Sequence, residues 1–208
     1  LLEVAVKLYP TCHFTHASID AALALRATGL RAEEVASVQV LLPPGVHPVV
    51  CEPVAAKRRP ANVYESQFSI HHLVALALLR GELGLAELDA ANLSDPQVQA
   101  LADRIEHAAD PDADYPTFFS GELHVRTNDG RELRWRESAH RGAPGRPITA
   151  ADIEAKFMGN ALLTLPREQA LRLLDALLTA DRAPDAAVLA QSLTHSSPRC
   201  WEPLTALA

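Results

Sequence analysis

The sequence predicts an α+β fold in which a small, mainly antiparallel sheet packs against helices. The clearest strand signal surrounds residues 128–130, where apolar and polar residues alternate on both sides of a turn. Helical patterns precede this hairpin, and from about residue 150 onward the composition is purely helical. We therefore expect an α+β domain over residues 1–145, C-terminal helices over 146–194 and a tail over 195–208.

The composition excludes several classes of protein. Nearly half of the 208 residues are apolar and 22% are charged, which is typical of a globular protein with a sizeable core. The net charge of -7 argues against a nucleic-acid partner, and we interpret the short basic run at 57–59 as a solvated loop. No apolar stretch is long enough to span a membrane. The widely spaced cysteines favour a reducing compartment, so we predict a cytoplasmic protein; they are Cys12, Cys51 and Cys200.

Two helices and a strand are predicted in the first eighty residues. The spacing of apolar residues predicts a helix over Ala17–Thr28, and a β-branched run predicts a strand over Val38–Leu42. Residues 45–62 are proline-rich, and we interpret them as a long loop. The next helix, Ser66–Leu79, is apolar on nearly every face, which is typical of a buried core helix.

Ser94-Asp95-Pro96 has the pattern of a helix cap followed by a proline in the first turn. An apolar stripe behind it, which continues this predicted helix, consists of Val98, Leu101, Ala102 and Ile105. Further helices are predicted over 150–163, 166–178 and 185–193.

The hairpin allows two loop lengths, and only one keeps its apolar residues on the same face. A two-residue loop would set Val125 opposite a charged residue, because a slip of one position turns every side chain to the other face. A three-residue loop with Gly130 in the left-handed conformation avoids this. The cross-strand pairs that result are Val125–Leu133 and Leu123–Trp135.

Reactive side chains are concentrated in Lys7–His16, which holds a lysine, a thiol, two imidazoles and two threonine hydroxyls. Pro10 disrupts a continuous helix there, so we expect an irregular loop that leads into a helix N-terminus. Free backbone N–H groups and the helix dipole attract anions at such a position. These residues predict a carboxylate or phosphate site. Lys7 is then its cation, a proton carrier or a surface lysine.

Metal or thiol chemistry is less well supported. Cys12 and His16 are four residues apart and could share a helical face, with His71 or His72 as a further metal ligand. Pro10 disrupts that geometry, and no carboxylate is spaced to complete the set. Closeness in sequence does not make a Cys–His nucleophile pair either. We expect no metal and no cofactor, and we interpret His71 and His72 as satisfied polar positions where their helix meets a cleft.

Three stretches of the chain carry a family resemblance. The first is Lys7-Leu8-Tyr9-Pro10-Thr11-Cys12, followed by His16 and Ile19-Asp20-Ala21-Ala22. The second is Ser66-Gln67-Phe68-Ser69, and the third is Arg141-Gly142 through Pro147 followed by Asp152 to Phe157. In this order they resemble the K-x-Y/F-P-x-C/H, A-x-F-S and R-G-x-P…D-x-x-x-K-F elements of the 2-methylcitrate dehydratase (MmgE/PrpD) family. Ser66 stands in place of the usual alanine.

The resemblance implies that residues 1–145 form the family's lid domain and that residues 146–194 return to a helical domain that precedes this region. Family members act beside substrate carboxylates, without a metal, in a cleft between the two domains. They include 2-methylcitrate dehydratase, cis-aconitate decarboxylase and iminodisuccinate epimerase. The catalytic residues implied are Lys7 and His16, and the substrate-binding residues implied are Lys7, Cys12, His13 and Ser69.

The expected function is that of the lid part of a dehydratase-like enzyme acting on a small di- or tricarboxylate such as 2-methylcitrate. It would abstract a proton next to a carboxylate and lose water. The chain begins Leu1-Leu2-Glu3 and its only methionine is Met158, so we expect part of a longer product, inactive alone. The expected partners are a second copy or a helical-domain half. The alternatives are a decarboxylase or epimerase relative, and a non-catalytic interaction domain that presents the apolar helix near Phe68.

Overall fold

The computed structural model describes residues 4–182 together with residues 185, 187 and 190. The helices are α1 His16–Ala27, α2 His47–Val50, α3 Val54–Arg58, α4 Val63–Ser66, α5 Ile70–Arg80, α6 Ala90–Ser94, α7 Pro96–Ala102, α8 Ala150–Ala161 and α9 Arg167–Leu178. The strands are β1 Val35–Leu42, β2 Ile105–Ala109, β3 Gly121–Thr127 and β4 Glu132–Glu137. The predicted α+β class is confirmed.

The four strands form one mixed sheet in the order β2-β1-β3-β4. β1 pairs with β3 and β3 pairs with β4 in antiparallel fashion, while β1 and β2 run parallel. The sheet is therefore mainly antiparallel, as predicted. The parallel pair needs a long connection between its strands, and the helices from α2 to α7 supply it.

The hairpin of β3 and β4 has the predicted register. Val125 pairs with Leu133 and Leu123 pairs with Trp135, and Gly130 has a φ of +88°. The left-handed backbone at Gly130 costs little because glycine has no Cβ. This register places the buried side chains of Leu123 and Val125 on the face that the helices cover.

Helices α1 and α5 cover one face of the sheet and form the core with it. The side chains of α5 from Ile70 to Leu78 are buried, which confirms the predicted core helix, and Gly81 ends it with a φ of +78°. Because α5 is buried, it cannot present the apolar patch of the interaction-domain alternative. Near Phe68, the large exposed apolar side chain is that of Tyr64, whose ring lies 5.4 Å from that of Phe68.

The prediction of a long loop over 45–62 is wrong. The chain there forms the short helices α2 and α3. Two of the three prolines that suggested a loop lie at helix starts: Pro48 is in the first turn of α2, and Pro53 is the N-cap of α3. Proline is compatible with both positions, because the first N–H groups of a helix have no partner within it.

The basic run 57–59 is not a solvated loop but part of α3 and its end. Lys57 Nζ donates to the Val49 carbonyl at 2.7 Å. Arg58 contacts β2 through the Ile105 carbonyl at 3.0 Å, and Arg59 forms an ion pair with Asp103 at 2.6 Å. These contacts fasten α3 to the edge of the sheet.

Ile105 was predicted to continue the apolar stripe of the helix before it, and this is wrong. Helix α7 ends at Ala102, and Ile105 begins β2, where it pairs with Val38 of β1. The rest of the prediction is confirmed, since Asp95 caps α7 with its carboxylate 2.7 Å from the Gln97 N–H.

The chain divides into two compact units, one ending at Ile153 and the other beginning at Glu154. The predicted domain boundaries at 145 and 194 stay predictions. Nearly all of the predicted helix over 185–193, and the whole predicted tail, lie outside the described residues. Within the described part of the chain, no helix has the length and apolar character needed to cross a membrane.

We predict that Gly121→Ala destabilises the fold. A Cβ at Gly121 would lie 2.5 Å from the Ser18 amide nitrogen, so α1 would have to move away from β3. Overpacking of this kind costs about 1–3 kcal/mol, which chemical denaturation can measure. Gly84→Ala is the control, because its Cβ would be 3.4 Å from the Glu87 carboxylate, an ordinary contact. Equal stability of the two variants would contradict the close packing of α1 on β3.

Candidate functional site

Within the segment Lys7–His16, residues 7–12 form an irregular loop, as predicted, and a 3-10 turn over His13–Thr15 then leads into α1. Two hydrogen bonds shape this segment: Thr15 Oγ1 donates to the Cys12 carbonyl at 2.7 Å, and the Thr11 and Thr15 hydroxyls lie 3.0 Å apart. The Cys12 N–H donates to the Gln67 carbonyl at 2.9 Å, which ties the loop to the segment before α5. His16 is the first residue of α1.

Three imidazole rings meet behind this loop. The ring of His13 lies 4.7 Å from that of His16 and 4.8 Å from that of His140, between centroids. We call His13, His16 and His140 the histidine cluster. Aromatic rings enclose it: Tyr9 packs edge-on to His16 at 5.1 Å, and Phe119 stacks on His140 at 5.4 Å. The cluster thus joins two histidines that are close in sequence, at the entrance to α1, with a distant one from the segment between β4 and α8.

The histidine cluster is neutral at physiological pH. Burial is the main cause that lowers the pKa of His13 to about 4 and that of His16 to about 3. The other histidines of the cluster and Lys7 lower both pKa values further. Burial also lowers the pKa of His140. The nearby backbone of Thr11 raises the pKa of His16 and so opposes part of this lowering. The His16 ring nevertheless makes no contact with Thr11 that meets the geometry of a hydrogen bond.

Several ring nitrogens of the cluster have no hydrogen-bond partner among the described residues. They are both nitrogens of His16, both nitrogens of His140 and Nε2 of His13. A neutral imidazole without a partner can accept a proton or a hydrogen bond from a bound molecule. Lys7, on the exposed loop beside the cluster, adds positive charge. The site therefore offers proton acceptors next to a cation.

A buried ion pair lies beneath the cluster. The Asp20 carboxylate, 3% exposed, accepts from Arg141 Nε at 2.8 Å and from the Tyr9 hydroxyl at 2.5 Å. Arg141 Nη2 donates to the same hydroxyl at 2.7 Å. Burial and then the Asp20 carboxylate raise the pKa of Tyr9. Burial by itself lowers the pKa of Arg141, but the hydrogen bonds to the Tyr9 hydroxyl and the Asp20 carboxylate, together with the negative charge of Asp20, outweigh burial and raise it.

The loop that carries Lys7 is also fastened to the linker between β4 and α8. The Val6 N–H donates to the Gly142 carbonyl at 3.0 Å. Gly142 has a φ of +91°, and a Cβ there would lie 2.1 Å from the Val6 carbonyl oxygen. Glycine is required at this position on both counts. Lys7 is therefore held on one side by Val6 and on the other by Tyr9.

A second group of histidines lies between α5 and β2. His71 Nε2 and His107 Nδ1 are 3.4 Å apart, and the His47 ring lies 4.9 Å from that of His107. Burial above all lowers the pKa of His71 to about 3 and that of His72 to about 4, so both are neutral. Nδ1 of each lacks a hydrogen-bond partner among the described residues, so the prediction of satisfied histidines is wrong for these atoms. No set of three potential ligands in the described chain has the geometry of a metal site.

Comparison with known proteins identifies the family. A model of the MmgE/PrpD C-terminal domain matches residues 9–180. The chain belongs to the MmgE/PrpD family. It is similar to cis-aconitate decarboxylase of Homo sapiens, with 25% identity over 203 residues, and to that of Mus musculus, with 23% identity over 197 residues. Both alignments cover 94% of this chain, but 41% and 40% of those relatives. The chain thus spans about two fifths of the length of the curated relatives it matches.

The structure brings most of the residues predicted from the MmgE/PrpD resemblance together. Lys7 is exposed, Cys12 and His13 are half-buried, and His16 is fully buried beneath the other rings. Ser69 is instead engaged with the backbone before α5, because its hydroxyl donates to the Glu65 carbonyl at 2.7 Å. The roles predicted for these residues stay predictions.

His140, the third ring of the cluster, was not predicted from the sequence. It lies between β4 and α8, directly before the Arg141-Gly142 pair that resembles a family element. Its place next to this motif is the feature of the sequence that could have identified His140. Asp20 and Arg141 were noted only as parts of motifs, whereas the structure joins them in the buried ion pair.

We predict that lowering the pH destabilises the folded chain. The cluster's pKa values lie below the ordinary 6.5, so below that pH the unfolded chain binds protons that the folded chain does not. Stability is therefore complete above pH 6.5 and falls as the pH drops towards the folded values, by up to ~1.4 kcal/mol per pH unit for each neutral ring.

Urea unfolding at several values between about pH 7.5 and pH 5 measures this slope. His16→Gln removes one of the contributing rings, so the variant should lose less stability over the same interval. A stability that does not change across this interval, or an unchanged slope in His16→Gln, would contradict the neutral cluster.

Proposed function

We propose that this chain is the lid part of a lyase that acts on a small di- or tricarboxylate. The observation that carries the proposal is the neutral histidine cluster beside Lys7 in a member of the MmgE/PrpD family. A carboxylate substrate needs a cation to bind it, and removal of a proton next to that carboxylate needs a base. Neutral imidazoles supply the base, and the ammonium group of Lys7 supplies the cation.

The proposed reaction begins with a carboxylate of the substrate bound to Lys7. A neutral imidazole takes the proton from the adjacent carbon, and the electron pair of the broken C–H bond forms a C=C bond. The hydroxyl on the next carbon leaves with a proton as water. Lys7 stabilises the negative charge that develops beside the bound carboxylate. The acid that protonates the leaving hydroxyl is assigned to a helical domain, which the family resemblance implies.

Among the three rings, His13 is the most accessible. It is half-buried, whereas His16 and His140 are 0% and 4% exposed. We therefore assign the substrate contact to His13 and place His16 behind it. His16 then contributes to catalysis indirectly, by orienting the His13 ring. The centroids of the two rings are 4.7 Å apart.

The reaction within this class is also a proposal. Loss of water from a 2-methylcitrate-type substrate is our first choice. Decarboxylation is the second, because the two relatives named above are cis-aconitate decarboxylases. Epimerisation would use the same proton abstraction. We further propose that the protein works in the cytoplasm, as a homodimer or in association with a helical-domain half.

A variant at Lys7 tests the proposal. The chain is mixed with the helical domain of a family member and assayed with 2-methylcitrate, citrate and cis-aconitate, with product identification by chromatography. Lys7→Gln should reduce turnover about ten- to a hundred-fold, because a hydrogen bond to a charged group contributes ~1.5–3 kcal/mol. Lys7→Arg keeps the charge and should retain more activity. Arg31→Gln, which removes a surface charge from the same unit, is the control.

Two results would count against this function. Turnover that Lys7→Gln leaves at the level of Arg31→Gln would remove Lys7 from the mechanism. A complete lack of turnover with every substrate, with and without a helical domain, would favour the non-catalytic interaction domain. In that case the exposed Tyr64 and its neighbour Phe68 are the place to search for the partner's contact.

A further inference from the structure

Asp20 is a buried residue of α1, and its carboxylate makes polar contacts with Tyr9, Arg141 and Arg146. Its carboxylate accepts from the Tyr9 hydroxyl at 2.5 Å and from Arg141 Nε at 2.8 Å. The Arg141 backbone N–H reaches its other oxygen at 3.2 Å, and Arg146 Nη1 lies 3.6 Å from that oxygen. These contacts bring two cations and a hydroxyl to one buried carboxylate.

The contacts of Asp20 lead to the elements that carry the site. The Tyr9 ring packs against His16, and Tyr9 is two residues beyond Lys7. Arg141 directly follows His140, so its bond to Asp20 holds the backbone from which the third ring projects. Asp20 makes no hydrogen bond to the cluster rings among the described residues. The Asp20 charge acts directly on His140, where it opposes the lowering of the pKa by burial, and its contacts to the other parts of the site pass through Tyr9 and Arg141.

We propose that Asp20 is a positioning residue: acting through Tyr9 and Arg141, its carboxylate holds Lys7 and the histidine cluster in the arrangement that proton abstraction requires. The catalytic use of this arrangement rests on the proposed function, whereas the contacts of Asp20 do not depend on it. The negative charge is the essential property. An amide of the same shape would remove the closer of the two carboxylates that pair with the half-buried guanidinium of Arg141, leaving only Asp152 at 3.3 Å.

Asp20→Asn tests the proposal on the intact chain. Asp95→Ala is the control, because Asp95 also pairs with an arginine, Arg80, and caps α7 well away in sequence from the site. Both variants should lose stability, so stability alone does not decide. The deciding measurement is NMR of the histidine ring protons, assigned with single His→Gln variants and followed as a function of pH.

Asp20→Asn should shift the ring signals of His13, His16 and His140 and change their titration, whereas Asp95→Ala should leave them as in the unmodified chain. Tricarballylate, a tricarboxylate without a hydroxyl group to eliminate, is the binding probe. Its Kd should rise about ten-fold in Asp20→Asn, the factor that ~1.4 kcal/mol represents, and stay within error in Asp95→Ala.

Unchanged ring signals and titration in a folded Asp20→Asn variant would overturn the proposal and leave Asp20 a purely structural residue. Failure of the unmodified chain to bind tricarballylate counts against the proposed function instead, and the ring signals still decide the role of Asp20. If Asp20→Asn does not fold, Tyr9→Phe takes its place, because it keeps the ring and removes only the hydroxyl. It should shift the His16 signals in the same direction by a smaller amount, and an absence of any shift would overturn the proposal.

Discussion

The ion pair between Asp20 and Arg141 is the interaction on which the arrangement of this domain depends. It joins residues that are 121 positions apart and so closes the chain from α1 to the linker after β4. Taking a carboxylate and a guanidinium out of water is costly, and the cost is offset only when good geometry and further hydrogen bonds satisfy both groups. The Tyr9 hydroxyl supplies these bonds by contacting both partners.

Charged and neutral side chains lie close together in this part of the molecule. Asp20 and Arg141 are charged and paired, while the histidine cluster a short distance away is neutral because burial disfavours imidazolium. Paired charges hold the backbone in place without changing the state of the rings. Neutral rings can then accept protons, which charged rings could not. The proposed lyase reaction would use this combination of a cation and neutral bases.

The sequence was informative wherever one local pattern decided the structure. The register of the hairpin followed from the alternation around Gly130, and the burial of α5 followed from its apolar faces. Strand β2 was missed because Ile105–Ala109 contains two alanines, a histidine and a glutamate, and has little β-propensity of its own. Its conformation is set by parallel pairing with β1, a contact that no local pattern reports.

The residues of the candidate site were likewise predicted where a local pattern indicated them and missed where only a tertiary contact did. Lys7 and His13 were found because they lie in one short segment whose composition is unusual. His140 was not found, because it is far from His13 in sequence and only the tertiary fold brings the two rings to within 4.8 Å. Proline in 45–62 was taken as a sign of a loop, although proline at the start of a helix is equally compatible with the chain.

A double-mutant cycle on Asp20 and Arg141 measures how strongly the two residues depend on each other. Unfolding free energies are compared for the unmodified chain, Asp20→Asn, Arg141→Gln and the double variant. Each single change removes the closest counter-ion of the other residue and leaves only a longer ion-pair contact, from Arg141 to Asp152 at 3.3 Å or from Asp20 to Arg146 at 3.6 Å. Each should therefore cost nearly as much as both together. We predict a coupling energy of at least about 2 kcal/mol between the two residues. Costs that simply add, with a coupling energy near zero, would contradict the claim that this ion pair organises the domain.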